Sequence, residues 1–470
     1  MRRLEPDLCV IGGGAGGLAV AAGAVQMGAS VVLIERGRMG GDCLNYGCVP
    51  SKSLLATARL AGGCRRGTAL GLRLAPPDID FAAIADSVMQ VVAAIAPNDS
   101  VERFEGLGVT VLRGDARFID AATVAAADAT IRARRYVIAT GSEPFVPSIP
   151  GLDGVSFLTN ETIFANRDMV RHLLVIGGGP VGIELAYAYR ELGCAVTVID
   201  SGRLLPRDDP ELVAILAERL EAEGIVLHPE TAIARVGTAP EGIAIELADG
   251  RRIAGSHLLV AAGRRANLHA LDVAAAGIVT NAAGIVVDAR LRTTNRRIFA
   301  IGDVNGGPQF THAALYEAGI VIRNALFRLP AHADYGALPW VTYTDPELAQ
   351  VGLTEAAARA TRETVRVLRW PFAENDRAHT ERDTSGLIKV TVGRRGRILG
   401  ASIVGAGAGD LILPWALAVS QKLKIGAVAN LIVPYPTRGE AGKRAAGSYY
   451  TASLFGPRTR RLVRLLARLG

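Results

Sequence analysis

One glycine pattern occurs twice in this chain, each time between two apolar segments. Gly12-x-Gly14-x-x-Gly17 follows residues 8–11 and leads, through an alanine-rich stretch, to residues 30–35, which end in Glu35. Gly177-x-Gly179-x-x-Gly182 follows residues 173–176 and leads to residues 196–199, with Asp200 next in the chain. A strand, a tight glycine turn, a helix and a second strand closing on an acid make up a dinucleotide-binding unit. Glycine lets the backbone turn sharply and approach a pyrophosphate, and the helix start offers N–H groups and a positive dipole end. The acid accepts hydrogen bonds from a ribose. One such pattern is weak evidence, because glycine turns also occur in unrelated α/β units. Two complete ones, 177 − 12 = 165 residues apart, predict two dinucleotides on one chain.

The same reading accounts for an apolar run near the start. Residues 8–34 carry no charge and are long enough to imitate a membrane span or signal peptide. Seven glycines, at 12, 13, 14, 16, 17, 23 and 28, interrupt the run, and strand-turn-helix-strand explains it better. The chain is 50% hydrophobic but only 5% aromatic, an aliphatic balance suited to buried parallel strands and helices. With 470 residues there is room for about three domains of roughly 150 each. A disordered chain, a collagen and a small disulfide scaffold are excluded. Five cysteines make no secreted framework, which predicts a reducing, cytoplasmic setting. The net charge of +7 names no anionic partner, and no nucleic acid is expected.

Cys43 and Cys48 stand in Gly40-Gly41-Asp42-Cys43-Leu44-Asn45-Tyr46-Gly47-Cys48-Val49-Pro50-Ser51-Lys52. On a straight helix, residues five apart differ by about 140° and about 7.5 Å, too far for a disulfide. The loop is therefore predicted to bend between them, which Gly47 permits. Pro50 suits the first turn of a helix, which puts Cys48 near a helix N-terminus, where a thiolate is stabilised. Lys52 follows one turn later on the same face. The pattern points to a redox-active pair. Two inert buried thiols are the bland alternative, and zinc is disfavoured because no second pair or histidine cluster accompanies them. Asp200 repels a 2′-phosphate and favours NADH over NADPH, although Arg203 lies close by in sequence and softens the preference.

With these motifs the chain resembles the class I pyridine nucleotide–disulfide oxidoreductases, the group holding dihydrolipoamide dehydrogenase, glutathione reductase and mercuric reductase. The resemblance covers essentially the whole chain. It rests on the Cys43–Cys48 motif, both fingerprints, Ala139-Thr140-Gly141, Ala300-Ile301-Gly302-Asp303, and Thr344-Asp345-Pro346-Glu347 with Val351-Gly352. It implies an α/β fold with two Rossmann-like dinucleotide-binding domains and a C-terminal α+β dimerisation domain. The FAD-binding domain would be discontinuous, 1–148 and 270–336, the NAD(P)-binding domain 149–269, and the interface domain 337–470. FAD would sit on Gly12, Gly14, Gly17 and Glu35, with Asp303 at its ribityl and diphosphate region and Thr140 and Gly141 in the chain's return to that domain. NAD(P)H would sit on Gly177, Gly179, Gly182 and Asp200. The resemblance makes Cys48 the thiol against the flavin and Cys43 the interchange thiol, with Lys52 near the flavin N5 and Glu184 as its carboxylate partner. For Glu184, a plain helix-start acid is the alternative. It also implies a homodimer.

Two departures carry chemistry. Many relatives place an aromatic residue where Pro180 stands, so that lid on the nicotinamide pocket is absent. Disulfide reductases of the family carry His-Pro and then a glutamate near the C-terminus, and the histidine is the acid/base for thiol exchange across the dimer interface. Here the stretch is Tyr435-Pro436-Thr437-Arg438-Gly439-Glu440. A phenol ionising near pH 10 is poorly matched to a task suited to an imidazole near 6.5. A hydrogen bond from Tyr435 to an ionised Glu440 would raise the phenol further. Mercuric reductases of this family carry a tyrosine here, where thiolates and hydroxyls handle a soft ion. This chain lacks their C-terminal cysteine pair, its last cysteine being Cys194, so metal delivery as in those enzymes is not expected.

Residues 457–470 hold five arginines and no acid. Leu462, Leu465, Leu466 and Leu469 form one helical stripe, and Arg461, Arg464 and Arg468 another face. Such a helix either packs its leucines on the dimer or lies on an anionic membrane surface at the inner face. The leading expectation is an enzyme, an FAD-dependent oxidoreductase carrying electrons from NAD(P)H through flavin to the Cys43–Cys48 pair. Its acceptor would be a small-molecule or protein disulfide or another group. Dihydrolipoyl dehydrogenase and a mercuric reductase-like activity are the enzymatic alternatives. A low-turnover redox sensor or membrane-partner-binding flavoprotein is the alternative from a different class.

Overall fold

The computed structural model describes residues 2–361 and 364–469. The chain forms two compact units, Met1–Ser201 with Thr231–Asp334, and Gly202–Glu230 with Tyr335–Gly470.

The first unit holds two parallel sheets. In one, the strands lie in the order Ile298–Ala300, Arg135–Ile138, Leu8–Ile11, Val31–Glu35, Thr110–Arg113. Its central strands are buried along their length, so they are continuous apolar runs rather than alternating ones. In the other, His172–Ile176 pairs in parallel with Ala195–Ile199 and with His257–Val260. The uncharged run near the N-terminus is the strand Leu8–Ile11, the helix Ala15–Gln26 and the strand Val31–Glu35, and a helix of 12 residues is too short to cross a bilayer. One helical stretch that sequence reasoning passed over, Phe81–Gly106, is long and apolar enough to span by composition alone. A 3₁₀ turn at Ala96–Asp99, with Pro97 in it, interrupts that stretch, and Phe81, Ala85, Val88 and Val92 are buried.

The second unit is α+β. Its antiparallel sheet runs Pro339–Thr342, Glu347–Gly352, Ile398–Gly405, Leu387–Val392, Arg366–Pro371. Trp415 and Ala418 from one helix and Ala441, Ala445 and Ala446 from Gly439–Leu454 share its core. The architecture is thus the α/β pattern with two dinucleotide-binding units and a C-terminal α+β domain. The basic tail is a helix, Pro457–Leu466, and Leu462, Val463, Leu465, Leu466 and Leu469 are all exposed on this chain. Gly470, the last residue of the expected tail, lies outside the described residues.

Candidate functional site: two glycine cradles and a dithiol

The two fingerprints match atom for atom. Gly12 has φ +109° and Gly177 φ +117°, conformations open to glycine. A Cβ on Gly12 would strike the Ala139 carbonyl, and one on Gly177 the Ala261 carbonyl. A Cβ on Gly17 would strike the Gly12 carbonyl, and one on Gly182 the Gly177 carbonyl. Glu35 Oε2 accepts from Gly13 N at 2.5 Å, and Asp200 Oδ2 accepts from Gly178 N at 2.5 Å. Each acid thus braces its own turn and keeps acceptor capacity for a ribose. Some helices begin with a side-chain cap, from Asp80, Ser100, Asp209 or Thr354. The two fingerprint helices begin at Gly14 and Gly179 with no side-chain cap. With the glycine turns beside them, these helix starts have the form that accepts a dinucleotide diphosphate.

The dithiol lies where the bend was expected. Cys43 is on the short helix Gly41–Asn45, and Cys48 is the first residue of the helix Cys48–Arg66, beyond Tyr46 and Gly47. Neither sulfur is joined in a disulfide in this structure. A hydrogen bond from Cys43 brings Cys48 down to about 6, helped by the Thr311 hydroxyl and the Lys52 ammonium and opposed by burial. The same bond and burial push the Cys43 thiol up. The Thr311 hydroxyl lies 3.4 Å from Cys48 Sγ. Lys52 Nζ donates to Glu184 Oε2 at 2.7 Å, joining the dithiol helix to the second fingerprint helix, Pro180–Glu191. Sequence spacing could not pair two residues so far apart in the chain.

Asp303 accepts from the Ser142 hydroxyl at 2.5 Å and lies 3.6 Å from Arg264 Nε. Burial raises its carboxyl. Thr140 Oγ1 donates to the Asn267 carbonyl at 2.7 Å, and Gly141 follows in the same turn. Arg264 also reaches Asp42, the residue before Cys43, at 3.2 Å. Sequence reasoning missed Arg264, Ser142 and Thr311 as site residues. Their one signal was position, each standing at the end of a strand or the start of a helix.

In the second unit Tyr435 is 69% exposed. Its hydroxyl donates to Asp376 Oδ2 at 2.7 Å, and that bond raises the phenol. The carboxylate partner is therefore Asp376 rather than Glu440, which binds Arg444 at 2.9 Å one turn along its own helix. The direction of the shift is the one expected, from a different acid.

Comparison with known proteins agrees over most of the chain. The family model "Pyridine nucleotide-disulphide oxidoreductase" matches residues 6–318, and that family's dimerisation domain matches residues 338–446. A mercuric reductase of Streptomyces lividans is 38% identical over 454 residues, covering 94% of this chain and 96% of that protein. A dihydrolipoyl dehydrogenase of Geobacillus stearothermophilus is 34% identical over 455 residues, covering 94% and 96%. Among solved structures, LpdA from Mycobacterium tuberculosis has a TM-score of 0.87 at 27% identity, covering 96% of this chain and 100% of that one. A Cu(II) complex of the HOCl-induced flavoprotein disulfide reductase RclA from Escherichia coli has a TM-score of 0.86 at 26% identity, covering 94% and 99%.

Proposed function

The chain belongs to the pyridine nucleotide-disulphide oxidoreductase family, and from that premise we propose that its dithiol reduces a soft, thiophilic metal ion at the expense of NADH. As a family member it is an FAD-dependent oxidoreductase using NAD(P)H, and its dimerisation domain supports a homodimer. Bound FAD supplies the relay between two-electron nicotinamide and dithiol chemistry.

In this reading the chain's own residues divide the work. Gly12, Gly14, Gly17 and Glu35 hold FAD, with Asp303, Thr140 and Gly141 beside it. Gly177, Gly179, Gly182 and Asp200 hold NADH, whose unphosphorylated ribose suits the Asp200 carboxylate. Cys48, brought down to about 6, would stand on the flavin side, and Cys43 would meet the acceptor. Lys52, oriented by Glu184, places a positive charge where reduction builds negative charge.

The observation that carries the acceptor is the tie between Tyr435 and Asp376, which leaves no ready base at the position where disulfide reductases carry histidine. A disulfide substrate needs that proton transfer. A soft cation does not, because on meeting the Cys43 thiol it acidifies that thiol directly and displaces its proton without a base. The net reaction balances as M²⁺ + NADH → M⁰ + NAD⁺ + H⁺. A mercuric reductase among the relatives and the Cu(II) complex of RclA support the choice. An NADH-driven screen with Hg(II), Cu(II), lipoamide, glutathione disulfide and quinones, on wild type and Cys43→Ser, tests this. Thiol-dependent metal turnover supports it, and disulfide turnover exceeding metal turnover overturns it.

A second reading rests on the tail. With five arginines and an exposed leucine stripe, residues 457–470 suit an anionic membrane surface, which would place a cytoplasmic enzyme at the inner face. Flotation with vesicles containing phosphatidylglycerol, before and after deleting 457–470, tests it, and binding unchanged by the deletion rejects it.

A further inference from the structure

The dithiol helix Cys48–Arg66 carries two consecutive glycines near its end, Gly62 and Gly63. Glycine weakens a helix interior, so a pair of them calls for a reason. The structure separates the two. A Cβ on Gly63 would have no heavy atom within 4 Å, whereas a Cβ on Gly62 would overlap the Glu191 carboxylate. Glu191 is the last residue of the second fingerprint helix and has no exposed surface. Its Oε2 accepts from Arg65 Nη2 at 2.8 Å and lies 3.5 Å from Arg66 Nη1, and its backbone carbonyl accepts from Arg65 Nη1 at 2.8 Å. A fully buried carboxylate thus enters the helix contact through the space that a side chain at 62 would fill. Two guanidinium groups meet it there, which makes such a charge tolerable.

Glu184 stands seven residues earlier on the same helix. Seven residues are close to two full turns, so Glu184 and Glu191 share one face, about 10.5 Å apart along the axis. The two helices are therefore pinned twice, by Lys52–Glu184 near their starts and by Arg65–Glu191 near their ends. A slip of one residue between those pins would swing Glu184 by about 100°, away from Lys52.

We propose that Glu191, seated in the gap at Gly62 and held by Arg65 and Arg66, is a positioning residue that sets the register of the second fingerprint helix so that Glu184 meets Lys52. This rests on the reading of Lys52 and Glu184 as groups of the redox site. The pin lies away from the dithiol and both cradles, and acts on them only through that register.

The test uses FAD-loaded protein carrying Cys43→Ser, in which the long-wavelength thiolate–flavin absorption reports the ionisation of Cys48. Glu184→Gln should move the midpoint pH of that band by roughly half a unit, about threefold in thiolate ratio at a fixed pH. Gly62→Ala should move it in the same direction to a similar extent, and the two together no further than Glu184→Gln alone. Gly63→Ala should leave it in place. Glu191→Gln keeps the shape of the side chain and should give a smaller shift of the same sign, so it carries the test should Gly62→Ala fail to fold. A shift from Glu184→Gln with none from Gly62→Ala or Glu191→Gln, or shifts that add, would mean that Glu191 only supports the fold, and the proposal fails. No shift from Glu184→Gln would sink the reading of the Lys52–Glu184 pair and the proposal with it.

Discussion

Tyr435 gives its hydroxyl hydrogen to Asp376 Oδ2 at 2.7 Å, and the nearby carboxylate holds the phenol above its ordinary range. A group so placed is a hydrogen-bond donor at neutral pH and a poor base. Tyr435→His should therefore raise the kcat for a disulfide acceptor such as lipoamide at least about tenfold, with a pH profile turning near 6.5. Steady-state kinetics across pH checks this. An unchanged kcat would show that proton transfer at this position does not limit thiol exchange.

Cys48 ionises near 6 because the Cys43 thiol donates to it, with the Thr311 hydroxyl and Lys52 adding to the effect. The alkylation rate of reduced protein carrying Cys43→Ser, which keeps a donor, should be nearly flat above pH 7 and fall about tenfold per unit well below 6. Thr311→Val removes a donor 3.4 Å from the sulfur and should move the midpoint up by roughly half to one unit. Thr311→Ser should restore it. A midpoint that Thr311→Val leaves untouched would remove the threonine from the account.

Much of the first unit was legible because local rules decide it. The glycines at 12, 14 and 17 and at 177, 179 and 182, the acids Glu35 and Asp200, and the bend between Cys43 and Cys48 follow from spacing and backbone sterics over a few residues. What sequence could not supply was the meeting of remote side chains. The family resemblance offered Glu184 as a partner for Lys52, but no spacing rule joins positions 52 and 184. Asp376 reaches Tyr435 from another element, which displaced Glu440, the nearer acid in the chain, as the phenol's partner. Nothing in the sequence around Gly62 marks it, and only the packed neighbour gives it a purpose.

The two cradles should fail separately. In each, the last fingerprint glycine lies against the carbonyl of the first, so an added methyl must displace backbone rather than a mobile side chain. Overpacking of that kind costs about 1–3 kcal/mol, concentrated where the diphosphate binds. Gly17→Ala should purify with little or no FAD. Gly182→Ala should purify yellow yet be reduced by NADH at least about tenfold more slowly, while dithionite reduction stays normal. Loss of flavin from Gly182→Ala would contradict the assignment of the second cradle.

A buried ammonium organises the second unit and should make it acid-sensitive. Lys389 is only 4% exposed and lies 2.9 Å from Asp209, 2.8 Å from Glu211 and 2.9 Å from Glu355. Arg369, at 2.8 Å, is the main reason Glu211 falls to about 2, and Lys389 is the main reason Glu355 falls to about 2. Both folded values lie below the ordinary 4.5, so the carboxylates contribute stability that is fully present above pH 4.5 and is lost as pH falls toward 2. Solvent screening at Glu211, whose side chain is 37% exposed, trims its share to about 1 kcal/mol. Lys389→Met leaves Asp209 buried without its ammonium and should cost about 3–5 kcal/mol at pH 7. The part of the loss between pH 4.5 and 3 that belongs to Glu355 should then shrink, because Lys389 is its main cause, while Arg369 keeps the part that belongs to Glu211. Urea unfolding of wild type and Lys389→Met at pH 7 and pH 3 measures both effects. Parallel acid sensitivity in the two proteins would locate the protons elsewhere.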